Sequence, residues 1–233
     1  MLGIWVNFAT VIAGSLLGSF LRGGIGEKYR QTINAGLALC VLLIGMSGAL
    51  ETENVMIVIL SIVIGAILGE GLNIEKGIDH LGNWAQRRFA RADGGFAAGF
   101  VNATLLFCVG SMAVVGSLEA GLTGNSETLL AKAALDGVSS VIFASSFGIG
   151  VAFAAIPLTL YQGGIALLAG VLAPFLTDPL IREMSAVGSI LIIALGFNML
   201  EALPSRIRVG NMLPAILLPC VLIPFIDFLS GLF

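Results

Sequence analysis

The chain has 233 residues, 58% of them hydrophobic and only 11% charged, with a formal net charge of −3 and a mean hydropathy of +1.04. An ordinary soluble domain is about 25% charged, and so few charges could not cover the surface of a soluble protein of this length. Composition thus excludes a soluble enzyme and points to an all-α, polytopic transmembrane helical bundle, a single integral membrane domain over 1–233.

One crossing of a bilayer takes about 20 apolar residues. The first run, Met1-Leu2-Gly3-Ile4-Trp5, has no basic segment and no cleavage site after it. It reads as a membrane helix and not as a removable signal peptide. Spans are predicted at 2–21, 34–50, 55–72 and 95–116. Residues 129–176 are too long for one crossing and suit two. Pro157 is the predicted break, since it lacks a backbone donor and disfavours helix just before it. The last spans are predicted at 185–200 and 212–232, making about eight. The grouping is helices one to three at 1–72, a connector at 73–94, helices four and five at 95–156, and helices six to eight at 157–233.

The loop charges support that count. With the N-terminus outside, the cytoplasmic loops hold Arg22, Lys28, Arg30, Lys76, Arg87, Arg88, Arg91, Arg206 and Arg208. The outer loops hold Arg182 with Glu51, Glu53, Glu119, Glu127 and Asp178. Basic residues resist translocation and stay cytoplasmic. Seven helices would place Arg206 and Arg208 outside, so eight fit better and both termini lie outside.

In the connector, Ile74, Ile78, Leu81, Trp84 and Phe89 recur near helical spacing, with Lys76, His80, Arg87 and Arg88 on the other faces. The pattern predicts an amphipathic helix on the cytoplasmic leaflet. A plain surface connector is favoured over a gate or docking helix. His80, the single histidine, reads as a solvated loop residue.

Small residues sit four apart at Gly14/Gly18, Gly65/Gly69, Gly95/Gly99 and Ser146/Gly150. Lipid gives helices no hydrophobic reason to associate, and small residues permit close backbone approach instead. Gly23-Gly24-Ile25-Gly26 lacks the strand and the Lys-Ser/Thr of a phosphate loop. Gly110 predicts a kink, and Pro214, Pro219 and Pro224 predict bending in the last span.

Two self-similarities are visible. Asn34-Ala35, Cys40-Val41, Gly48 and Leu50-Glu51 recur as Asn102-Ala103, Cys108-Val109, Gly116 and Leu118-Glu119. A weaker match sets Arg30, Gly36 and Gly45 against Arg182, Gly188 and Gly196. It would make helices one to three and six to eight an inverted repeat, an architecture of many secondary transporters.

Polar groups at membrane depth mark pathways or bind helices together. Asp136 follows Lys132 by one helical turn and leads into Ser139 and Ser140. At depth the two charges would pair. The carboxylate with nearby hydroxyls would suit a hard cation such as sodium, or a proton. The other reading places both at the outer interface, with the lysine snorkelling. Asn7, Asn102, Gln162, Asn198 and Asn211 form a second tier, and Glu70 sits between two glycines at the cytoplasmic end of helix three. Cys40, Cys108 and Cys220 lie in apolar runs without metal-like spacing. No nucleophile–base pair, metal cluster or nucleotide loop emerges, so neither an enzyme nor a cofactor is expected beyond a bound sodium ion.

Several stretches together carry a family resemblance. They are Leu135-Asp136-Gly137-Val138-Ser139-Ser140, Tyr161-Gln162-Gly163, Glu183-Met184-Ser185-Ala186-Val187-Gly188 and Arg208-Val209-Gly210-Asn211-Met212-Leu213-Pro214. The chain resembles the YqgA/YdfK-like family of uncharacterised bacterial inner-membrane proteins, grouped as a domain of unknown function. The resemblance implies a bacterial inner-membrane protein and brings no substrate with it. Its recurrent polar positions fall on Asp136, Ser139, Ser140, Gln162, Glu183, Asn198 and Asn211. The expected function is a channel or secondary transporter for a small ion, sodium- or proton-coupled, or a small solute. Asp136, Ser139, Ser140, Asn102 and Gln162 would build the site. The alternative is a non-transporting subunit or regulator of a larger complex. The expected partners are the bilayer, the ion or solute and other copies of the chain.

Overall fold

The computed structural model describes residues 1–22, 27–77, 80 and 96–230. Among them, every regular element is helical. Helix α1 is Leu2–Arg22, α2 Glu27–Ala49 and α3 Val55–Leu72. Then come α4 Phe96–Cys108, α5 Ser111–Leu122 and α6 Glu127–Phe147. Short α7 Gly150–Phe153 runs into α8 Ala155–Leu167, followed by α9 Ala169–Leu172 and α10 Asp178–Met199. The chain closes with a 3₁₀ segment, Val209–Leu217, and α11 Pro219–Ser230. The proposed helix between Ile74 and Phe89, and Gly23–Gly26, lie mostly or wholly outside the described residues.

Among the described residues six helices are long and apolar enough to cross a membrane, and two bent pairs raise the number to as many as eight. Both bends fall where the sequence interrupts the helix. Between α4 and α5 the direction turns by 62° at Gly110, whose φ of 120° is one that side chains other than hydrogen rarely adopt. Between the 3₁₀ segment and α11 it turns by 42°, with Pro214 inside one piece and Pro219 opening the other.

The break between the fifth and sixth spans is not at Pro157. It lies at Gly148, where φ is 78° and the backbone N–H closes on Ala144 O at 2.9 Å. Pro157 is the third residue of α8. The first turn of a helix has no internal acceptors for its N–H groups, so a proline there removes no helical hydrogen bond.

By contact the chain divides into two compact units that interleave in sequence. The first joins Met1–Leu37 to Asp79–Phe175, and the second joins Ala38–Ile78 to Leu176–Phe233.

In the first unit, α1 buries Gly3, Ile4, Asn7, Val11, Gly14, Ser15 and Gly18. The spacing of three and four is one face of a helix. That face lies parallel on α6: Gly3 meets Leu129, Gly14 meets the Gly137 carbonyl and Gly18 the Val141 carbonyl. A side chain at Gly14 or Gly18 would strike α6 backbone, which is why small residues line this seam. Thr10 ties the pair together by donating to Ala133 O at 2.9 Å. The opposite side of α1 shows Leu2, Trp5, Leu16, Leu17 and Phe20, an apolar surface suited to lipid.

In the second unit, α3 packs antiparallel on the 3₁₀ segment, with Gly65 on Ala215 and Gly69 on Asn211. Helix α10 is the most enclosed span, and Gly196 and Gly45 admit it closely against α2.

Candidate functional site

Helix periodicity brings four polar side chains together in the first unit. Lys132 and Asp136 are one turn apart on α6 and are 6% and 5% exposed. Lys132 Nζ donates to Asp136 Oδ1 at 3.0 Å. Both charges are thus enclosed by protein and paired with each other. From α1, Asn7 Nδ2 donates to the other carboxylate oxygen, Oδ2, at 3.0 Å. From α8, Gln162 Oε1 lies 3.5 Å from the same Asn7 nitrogen. Asn7 and Gln162 are fully enclosed.

The cluster is held tightly but is not saturated. Asn7 Oδ1 and Gln162 Nε2 are buried without a partner. An unsatisfied buried polar atom forfeits about 1–3 kcal/mol relative to water. Two of them beside an enclosed ion pair mark a place that could receive a further polar species. The position along α6 is also informative. Asp136 stands about 14 Å from the helix start, at a rise of ~1.5 Å per residue, near the middle of the 21-residue span.

The broken fourth span passes the same level. Gly99 rests on Phe147 and Gly116 on Leu129, so α4–α5 runs antiparallel to α6. Gly110 lies between these two contacts in sequence, as Asp136 lies between Leu129 and Phe147. Cys108, the last residue of α4, is close enough to feel the charges of both Lys132 and Asp136. Helix α5 starts at this level without a side-chain cap, so its first N–H groups have no helical acceptor.

The remaining predicted residues are placed differently. Ser140 is buried but donates back to Asp136 O at 2.7 Å, which leaves its hydroxyl satisfied within α6. Ser139 is only half-buried. Asn102 is buried on α4 and donates no hydrogen bond to the cluster among the described contacts.

Asn198, Asn211 and Glu70 belong to the second unit and do not join the cluster. Asn198 closes the loop after α10, donating to Ile207 O and accepting from Ile207 N, both at 2.8 Å. Asn211 Nδ2 donates to Glu70 Oε2 at 2.6 Å, and its Oδ1 accepts from Glu75 N at 2.8 Å. Glu70 also pairs with Arg208 at 2.5 Å. These side chains fasten the end of α3 to the 3₁₀ segment. Glu183 is 3% exposed and caps the turn between α2 and α3. It accepts from Thr52 Oγ1 at 2.6 Å, Glu53 N at 2.9 Å and Asn54 N at 3.3 Å. Among the described residues no group of three or more His, Cys, Asp or Glu is placed to hold a metal ion.

A bundle of six to eight apolar helices with its polar residues turned inward is an integral membrane protein. The family described as "Protein of unknown function (DUF554)" matches residues 2–224, and the chain belongs to it. It is 33% identical over 227 residues to the "Uncharacterized membrane protein YdfK" of Bacillus subtilis (strain 168), covering 96% of each chain. It is 32% identical over 223 residues to the "Uncharacterized protein YqgA" of Escherichia coli (strain K12), covering 94% of each. These findings bear out the resemblance carried by the Asp136, Gln162, Glu183 and Asn211 motifs. No solved structure matches the chain.

Proposed function

We propose that this protein is a channel or secondary transporter for a small ion or small solute, with its pathway passing the Asn7–Lys132–Asp136–Gln162 cluster. One observation carries the reading. An enclosed ion pair has two unpartnered amide atoms beside it, and the span that packs antiparallel on the same helix is broken at Gly110.

Each part has a physical rationale. Charges within a membrane are destabilising unless paired, and they concentrate where ions or solutes pass. Discontinuous helices offer unsatisfied backbone ends at the depth where a transported species is held. Irregular backbone at membrane depth is tolerated where it lines a water-filled cavity or is covered by protein. In this reading the protein resides in the bacterial inner membrane with both termini outside, as its basic loop residues favour.

The test is reconstitution into liposomes loaded with sodium- and pH-sensitive dyes. Imposed gradients should drive a flux that Asp136→Asn abolishes. The reading is sunk if the purified protein moves neither ion nor any of a panel of small solutes, and Asp136→Asn leaves the cell phenotype unchanged.

A further inference from the structure

We infer that Lys132 is a built-in substitute for a sodium-sized monovalent cation, and that this cation binds at Asp136 by displacing the lysine ammonium. The inference rests on the pathway reading above and identifies the ion of that same site.

The first argument is the ligand set. Asp136 presents two carboxylate oxygens, one held by Lys132 and one by Asn7. Asn7 Oδ1 is a buried oxygen with no donor, and Gln162 Oε1 has only the long 3.5 Å contact. These oxygens come from α1, α6 and α8; Asn7 turns its Nδ2 to Asp136 and Gln162, and rotation of that amide presents Oδ1 to a cation that replaces the ammonium. A hard cation takes a shell of carboxylate and carbonyl oxygens.

The second argument is charge. The cluster of Lys132, Asp136 and two neutral amides has no net charge. A cation added with Lys132 in place would make it positive inside a medium that penalises isolated charge. Exchange of one cation for another keeps the carboxylate neutralised throughout.

The third argument is that Lys132 can leave. Lysine preceding an acid by four residues is the weaker order for a helical ion pair. Helix side chains lean toward the N-terminus, so Lys132 reaches Asp136 against its lean. The start of α6 is only five residues back. One turn before Lys132, Thr128 donates to Glu119 Oε2 at 2.7 Å, and Glu127 is exposed nearby. A long aliphatic stem can carry the ammonium to these acids at the membrane edge.

The experiment uses full-length protein in lipid nanodiscs. Melting temperature is followed as sodium chloride replaces choline chloride at constant ionic strength. Lys132→Met removes the competitor, so half-maximal sodium stabilisation should move to a concentration lower by about tenfold or more, the effect of ~1.4 kcal/mol of lost competition. Lys132→Arg keeps a permanent cation with a bidentate fork and should abolish the sodium response while remaining folded. Asp136→Asn should show none. A Lys132→Met protein indifferent to sodium overturns the inference, as does a sodium response that survives in Asp136→Asn. Should Lys132→Met fail to fold, a Lys132→Arg protein that keeps the full wild-type response overturns it, and one that loses the response supports it. Flux in liposomes without any of these sodium effects would leave the pathway reading intact and remove this one.

Discussion

Asn7 Nδ2 donates to Asp136 Oδ2 at 3.0 Å across 129 residues of sequence. That bond brings an amide from the first helix onto a carboxylate whose other oxygen is held by Lys132. It also explains why the glycine seam of α1 matters. Without Gly14 and Gly18 the two helices could not approach closely enough for so short a side chain to reach.

The ion pair should behave as a unit. Asp136→Ala leaves the Lys132 ammonium enclosed and unpaired, at an expected loss of about 3–5 kcal/mol. Replacing both members, Lys132→Met with Asp136→Leu, should recover much of that stability while removing flux. Thermal unfolding of the single and double variants, analysed as a cycle, checks this. Additive losses would show that the pair is not coupled.

The seam between α1 and α6 should tolerate no added carbon. Gly18→Ala would press its Cβ onto the Val141 carbonyl, at an expected cost of about 1–3 kcal/mol. Gly163 has open space around the position of a Cβ. Gly163→Ala should be neutral or stabilising by up to about 1 kcal/mol through helix propensity. Melting temperatures in one lipid environment distinguish the two.

The break at Gly110 should depend on glycine. Its φ of 120° is strained for any residue with a Cβ, at roughly 1–3 kcal/mol. Gly110→Ala is expected to lower both the melting temperature and the flux in liposomes. Unchanged flux would separate the break from the pathway.

Glu183 should hold the turn between α2 and α3. It accepts from Thr52 and from two backbone amides. Glu183→Ala leaves those donors without their acceptor, for an expected loss of about 2–3 kcal/mol. Hydrogen exchange at the Glu53 and Asn54 amides should accelerate in the variant, and the cluster around Asp136 should not respond.

The sequence was most informative where one residue type admits one solution. Nearly continuous apolar runs delimited the spans, and the 62° turn falls at the glycine that the fourth span carries in its middle. Lys132 and Asp136 were legible as a pair because helical spacing alone brings them together. The partners of that pair were not. Asn7 and Gln162 read only as amides in apolar helices, since nothing local states that α1 lies on α6. Asn198, Asn211 and Glu70 have the same residue types but close loops and helix ends. A buried amide looks alike in sequence whether it fastens backbone or faces a carboxylate. Pro157 misled because a proline breaks a helix only beyond its first turn, and Gly148 had already ended the preceding one.

The interleaving of the two units has a consequence for biogenesis. Helix α1 leaves the ribosome long before α6, its main packing partner, has been synthesised, and the whole of α2 and α3 is made in between. During that interval Asn7 has neither Asp136 nor Gln162 to meet, and the glycine groove of α1 is vacant. Contacts so distant in sequence close slowly because a long loop must be ordered first. The nascent first helix must therefore wait in the bilayer, or beside the insertion machinery, until residue 136 arrives. Assembly of the polar centre is then a late event, completed only once Gln162 on α8 has followed α6 into the membrane.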